Sequence, residues 1–185
     1  MSLVQRARAF ALPLYAQPHR AYHNAEHVQA VLHALDSRSR LTPALALAAW
    51  GHDLVYDPRA ADNEERSAEV FGKWLRRAGA SPELMEEVRG LILATRHTAP
   101  PTTPEEALLV DADLSILGAD AQAFAAYDAA IRQEYDFVPE DAYRVGRARV
   151  LRSFLDRECI FTAPDFAGLE DRARVNLTAA LERLQ

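Results

Sequence analysis

Apolar residues recur along this chain at intervals of three and four, and no stretch alternates apolar and polar residues in steps of two. That period is helical. It predicts a first helix over 3–15, ended near Pro18, and a second over 24–35, with Asn24 as N-cap before Val28, Val31, Leu32 and Leu35. Thr42-Pro43 sets a cap and then a proline at the start of a third helix running to His52. Because it is apolar nearly all round, it is the expected central, buried helix. A polar loop over 57–63 leads to a helix over 64–78, and Ser81-Pro82 opens another that ends near His97. The proline-rich stretch 99–104 reads as loop, and helices follow over 105–117, 121–135, 139–157 and 165–184. The expected fold is all-α: one compact helical bundle over 1–185, with its core in roughly 20–120 and the C-terminal helices 121–185 packed on it.

Composition agrees with that picture. Hydrophobic residues make up 49% and glycine occurs only seven times, which suits a packed helical core. A formal net charge of −6 argues against duplex nucleic acid as a partner. Lys73 is the only lysine, so arginine carries almost all the positive charge. Guanidinium forks suit phosphate and carboxylate, although GC-rich coding is the simpler cause of the overall bias. Cys159 stands alone in Glu158-Cys159-Ile160-Phe161 and is expected to be packed and inert. Arg6 and Arg8 interrupt any apolar leader, and no apolar run reaches the ~20 residues of a membrane span. The chain therefore reads as cytoplasmic, with no membrane partner.

Three separated segments place metal-ligand residue types in unusual company. In Tyr22-His23-Asn24-Ala25-Glu26-His27 two histidines sit four apart and share a helix face. Asn24 stands where a zinc-protease helix needs its glutamate, which excludes that chemistry. His27 alone would read equally as a hydrogen-bonded structural histidine. His52-Asp53 ends the most apolar helix, where an ionised carboxylate is costly unless paired or metal-bound. An arginine partner or an exposed helix end would serve as well. In Leu108–Leu117, Asp111 and Asp113 lie about 200° apart around a helix. They cannot both face one site; Asp113, on the face of Leu109, Ile116 and Leu117, is expected to be the more buried. Asp111 is left to cap, pair or support a ligand. Mixed imidazole and carboxylate donors suit manganese, iron, cobalt, nickel or zinc, and less typically magnesium.

Taken in order, these segments resemble the H…HD…D pattern of the HD superfamily of metal-dependent phosphohydrolases. The whole chain is similar to a bacterial group of predicted HD phosphohydrolases, through segments 22–27, 50–53, 62–68 and 113–118 and through Arg132-Gln133-Glu134-Tyr135. Tyr22-His23-Asn24 with His27, and Asp113-Leu114-Ser115, also resemble the metal-site segments of cyclic-nucleotide phosphodiesterases. The resemblance implies one or two divalent ions held by His27, His52, Asp53 and Asp113, and a small phosphorylated substrate, most simply a nucleotide, attacked by metal-activated water. It implies His23 as general acid, or else as a second-metal or supporting histidine, and Glu64 as base. It adds His97, Arg20, Asn63, Arg96, Arg132 and Arg147 as residues for the substrate or a second metal. His97 also reads as a favourable C-terminal helix cap. His19 and His33 are expected to take no part. Two rival expectations keep the fold and change the role: a diiron oxygenase of the HD type, and a metal-containing ligand sensor without turnover.

Overall fold

The computed structural model describes residues 1–184, and among them the chain forms nine α-helices and two 3-10 segments with no strand. The helices are α1 (Leu3–Tyr15), α2 (Ala25–Asp36), α3 (Pro43–Gly51), α4 (Asn63–Arg77), α5 (Pro82–Ala94) and α6 (Pro104–Asp113). After the 3-10 segment Leu114–Gly118 come α7 (Ala121–Glu134) and α8 (Glu140–Leu155), and after the 3-10 segment Pro164–Leu169 comes α9 (Glu170–Arg183). None is long and apolar enough to cross a membrane.

Local chemistry explains most of the starts. Ser2, Asn24, Thr42, Ser81, Thr103 and Asp120 each accept hydrogen bonds from first-turn N–H groups that the helix leaves unpaired. Pro43, Pro82 and Pro104 follow three of these caps, where no N–H is missed.

The centre of the bundle is α3. Every residue from Ala44 to Gly51 is buried, and the helix packs against α1, α2, α4, α5 and α6. Burying Leu45 and Leu47 completely contributes about 2 kcal/mol each. Gly51 lets the end of α3 press directly on α4 and α5. A Cβ there would stand 2.6 Å from Phe71 Cδ1 and 2.8 Å from Ile92 Cδ1. The C-terminal helices join through α9, which packs on Leu114–Gly118 and on α8.

Four expectations need correction. The helix expected over 165–184 begins only at Glu170, because Pro164–Leu169 winds as a 3-10 segment packed against Gly118. The helix expected over 105–117 stops at Asp113 and tightens into a 3-10 turn, where the Ser115 hydroxyl donates to the Ala112 carbonyl at 2.7 Å. The helix expected to end near His97 stops at Ala94; the Thr95 hydroxyl donates to the Ile92 carbonyl, and His97 takes a left-handed conformation (φ 56°) beyond the end. Cys159 is exposed, not packed: the apolar residues following it, Ile160 and Phe161, take the core positions.

Candidate metal centre

The end of α3 delivers His52 and Asp53 into the core, and the caps of neighbouring helices bring their partners. Asn24 Oδ1 accepts from the N–H groups of Glu26 and His27, fixing the first turn of α2 so that His27 points inward. Asp113 is the last residue of α6. His27 Nε2 lies 3.1 Å from His52 Nε2, 3.0 Å from Asp113 Oδ1 and 3.6 Å from Asp53 Oδ2. His52 Nε2 lies 3.0 Å from Asp53 Oδ2 and 3.5 Å from Asp113 Oδ1. His52 Nδ1–H donates to the Ala49 carbonyl at 2.9 Å, which leaves Nε2 as the lone-pair nitrogen facing the cluster.

These spacings match a cation's requirements. Ligands about 2.1 Å from one ion stand about 3.0 Å apart at an octahedral edge and about 3.4 Å apart in a tetrahedron. With a cation between them, both Nε2 atoms would present lone pairs to it. His27, His52 and Asp53 together form a buried group able to hold a metal ion, and Asp113 Oδ1 lies against both histidines. Burial opposes charge on His52, Asp53 and Asp113, yet mutual attraction prevails: Asp53 and Asp113 are held well below the ordinary carboxylate range, and His52 well above the ordinary imidazole value.

Beside the cluster, His97 Nε2 lies 2.8 Å from Asp113 Oδ2, the oxygen that the other histidines leave free. The left-handed turn aims the ring there, and Arg157 donates to the His97 carbonyl at 3.0 Å. His97 is therefore a member of the site, not a helix cap.

His23 stands at the entrance, half-buried, with its Nδ1–H donating to Glu134 Oε2 at 2.6 Å. Glu134 is the last residue of α7 and is almost wholly buried. Its Oε1 accepts from the N–H groups of Tyr22 and His23 at 2.7 and 2.9 Å, and its Oε2 also accepts from the Tyr56 hydroxyl at 2.7 Å. Burial would raise the Glu134 carboxyl, but His23, Tyr56 and the amides pull it down to about 2. Burial depresses His23, and Glu134 and Asp53 more than compensate, so its basicity is raised. The Tyr56 ring stacks on His23 at 4.3 Å, and Tyr22 lies against His27 at 4.7 Å between ring centres.

The structure sorts the remaining residues by their partners. Arg20 is buried and donates to the carbonyls of His23, Asp53 and Leu54 and to Gln17 Oε1, bracing the backbone around His23 and Asp53. Asn63 holds the loop by exchanging hydrogen bonds with the Asp57 backbone at 3.0 and 2.9 Å. Arg96 pairs with Glu65 at 2.7 Å in the groove between α4 and α5. Arg132 donates to Tyr135 and Val138 carbonyls and to Glu140. In this structure these four are engaged with carbonyls, carboxylates or backbone groups of helices and loops, and among the described residues their one contact with the His27–His52–Asp53 group is the Asp53 carbonyl held by Arg20. Glu64 is half-buried near Asp53 and His97, and burial raises its pKa. Arg147 lines the same compartment as His23, His97 and Asp113. His19 and His33 are exposed.

Asp111 is fully buried, more deeply than Asp113, contrary to expectation. Its Oδ2 accepts from the N–H groups of Thr162 and Ala163 at 2.8 and 2.6 Å, so the opposite face of α6 pins the loop before the second 3-10 segment.

The residue that sequence reasoning missed is Glu134. Its segment carries part of the family resemblance, but no spacing links it to His23, more than a hundred positions away. Tyr56 went unnoticed for the same reason. Comparison with protein families, with curated proteins and with solved structures returned no match.

Proposed function

We propose that this protein is a metal-dependent phosphohydrolase acting on a phosphate ester or anhydride. The observation that supports it is the convergence of His27, His52 and Asp53 at spacings suited to one divalent cation, with Asp113 Oδ1 against both histidines. A divalent ion held there lowers the pKa of water and polarises a phosphoryl oxygen. The chain supplies the rest. Glu134 holds His23 by Nδ1 and favours its protonated form, so Nε2 carries the proton that the leaving oxygen requires. Glu64, half-buried and within the electrostatic reach of Asp53 and His97, would take the proton from attacking water. Tyr22 and Tyr56 wall the two histidines with rings and restrict solvent.

Phosphate release from a panel of nucleotides, phosphomonoesters and phosphodiesters, assayed with manganese, cobalt or iron, tests the reading. Turnover of at least one, lost together with bound metal in Asp53→Ala, is the expected result. Full metal content in Asp53→Ala, or no turnover with any ion, rejects it. His97 beside the second oxygen of Asp113 favours a second ion as well, and with it the diiron oxygenase as rival reading. A redox-active diiron spectrum on anaerobic reduction, together with oxygen consumption, would choose that rival.

A further inference from the structure

Besides the compartment that holds His23 and His97, a second space borders the metal centre. It is a groove of about 470 Å³ between α2 and α7, and Tyr22, His27 and Asp113 line its inner end. Tyr22, Asp113 and Tyr127 border both spaces. The Tyr22 ring meets Tyr127 edge-on at 4.7 Å and lies tilted against His27 at 4.7 Å, so aromatic surface runs from the centre into the groove.

The sequence of α7 keeps this space open. Ala123, Ala126 and Ala130 follow at intervals of three and four, share one helix face and line the groove. Their methyl groups are too short to fill the gap to α2, which faces them with Ala30 and Val31. α7 packs on Leu114–Gly118 instead, and α2 on α3 and α6. The polar side chains along the walls already have partners. Asn24 Oδ1 accepts from the N–H groups of Glu26 and His27, and its Nδ2 donates to the Ala21 carbonyl at 3.0 Å. The Ser115 hydroxyl donates to the Ala112 carbonyl. Glu26, exposed at the rim, adds a negative charge. A group lying in this groove therefore meets mainly methyl groups and ring faces, and it reaches two side chains of the metal centre at the inner end.

Resting on the phosphohydrolase reading, we propose that this groove receives the organic part of the substrate, and that the preferred substrate is the monophosphate ester of an apolar alcohol. Its phosphate meets the ion, and its carbon skeleton lies along the alanine face of α7. Each methylene fully withdrawn from water tightens binding by about fourfold. A hydroxyl carried to the same place gives up its water and meets partners already taken. A second anionic group at the outer end meets the Glu26 carboxylate, which favours substrates with a single phosphate.

Probes that cannot be hydrolysed test this without turnover. Manganese-loaded protein is titrated by calorimetry with methylphosphonate, hexylphosphonate and 2,3-dihydroxyhexylphosphonate. The hexyl chain should tighten binding by about tenfold or more over methylphosphonate, equivalent to roughly 1.4 kcal/mol, because an open groove withdraws each methylene only in part. The two hydroxyls should remove most of that gain. Ala126→Phe fills the groove from the exposed side of α7 and should erase the gain, while methylphosphonate still binds. Should that variant fail to fold, Ala30→Leu narrows the groove from α2 and must reduce the same gain. Equal binding of methyl- and hexylphosphonate, a dihydroxy probe as tight as the hexyl one, or a gain that survives both substitutions overturns the assignment and leaves the phosphate reading standing. So does a dimer that Ala126→Phe dissociates without any gain from the hexyl chain, which would give the groove to a second copy of the protein. Binding of none of the three by a metal-loaded protein rejects the phosphate reading of the centre, and the groove assignment with it.

Discussion

Two aspartates on α6 are separated by one residue, carry the same side chain and are both withdrawn from solvent, yet they do opposite things. Asp111 accepts hydrogen bonds from two backbone N–H groups, Thr162 and Ala163. Amides cannot move away or exchange a proton, so this face of α6 is a fastening. Asp113 meets His27 and His97 at 3.0 and 2.8 Å and His52 at 3.5 Å. Imidazoles can exchange protons and offer lone pairs to a metal, so this face is a place for chemistry. The electrostatics diverge accordingly. Burial raises the Asp111 carboxyl to about 6 although two amides oppose it, whereas the histidines hold Asp113 well below the ordinary range. Depth of burial therefore identifies neither role; the partners do.

The sharpest way to break this contrast is to remove each aspartate in turn. Asp113→Ala should lower metal affinity by roughly more than 100-fold, since a ligand outweighs the 10–100-fold effect of the groups behind it. Metal content after dialysis and phosphate release should fall together, while far-UV circular dichroism stays helical. Asp111→Ala should instead leave metal stoichiometry intact and cost about 2–3 kcal/mol by urea unfolding, because two buried amides lose their acceptor. Metal loss in Asp111→Ala alone would invert the comparison.

Glu134 combines the two roles, accepting from two amides and from a histidine. Glu134→Gln should lower kcat about tenfold or more and shift the acid-side group to lower apparent pKa, with KM little changed. It should also reshape stability against pH. The depressed Glu134 carboxyl contributes stability that is present above its unfolded value near 4.5 and lost as pH falls toward about 2. The raised His23 contributes stability present below its unfolded value near 6.5 and lost as pH rises through its folded one. The wild-type advantage over Glu134→Gln should thus peak between about pH 4.5 and 6.5 and shrink on both sides. A flat difference from pH 2 to 9 would show that the charge on this pair contributes nothing. At the far end of the scale, Cys159→Ser on the exposed C-terminal loop should change unfolding free energy by no more than about 0.5 kcal/mol.

Much of the fold was legible from spacing. The caps and prolines marked where α3 and α5 begin, and the all-round apolar character of Ala44–Gly51 announced the central helix; the Thr103-Pro104 start of α6 was read as loop. Errors gathered at helix ends near Asp113, His97 and Asp165. There side-chain hydroxyls and tertiary packing, such as Gly118 against Leu169, decide between another α turn and a 3-10 turn. Of the candidate residues, His23, His27, His52, Asp53 and Asp113 were recognisable as titratable groups in apolar surroundings. The arginines were not separable, because every guanidinium looks alike along the chain.

What the order of residues determined by itself was local: helical period, caps, and which segments carry donors for a metal. Only the folded arrangement decided that His97 reaches Asp113, that Glu134 grips His23, and that Arg20 meets backbone carbonyls while Arg147 pairs with Asp128. The physical reason is range. Helix propensity and capping act over about four residues, whereas the worth of a buried charge depends on what surrounds it in space, and those neighbours lie tens of residues away along the chain.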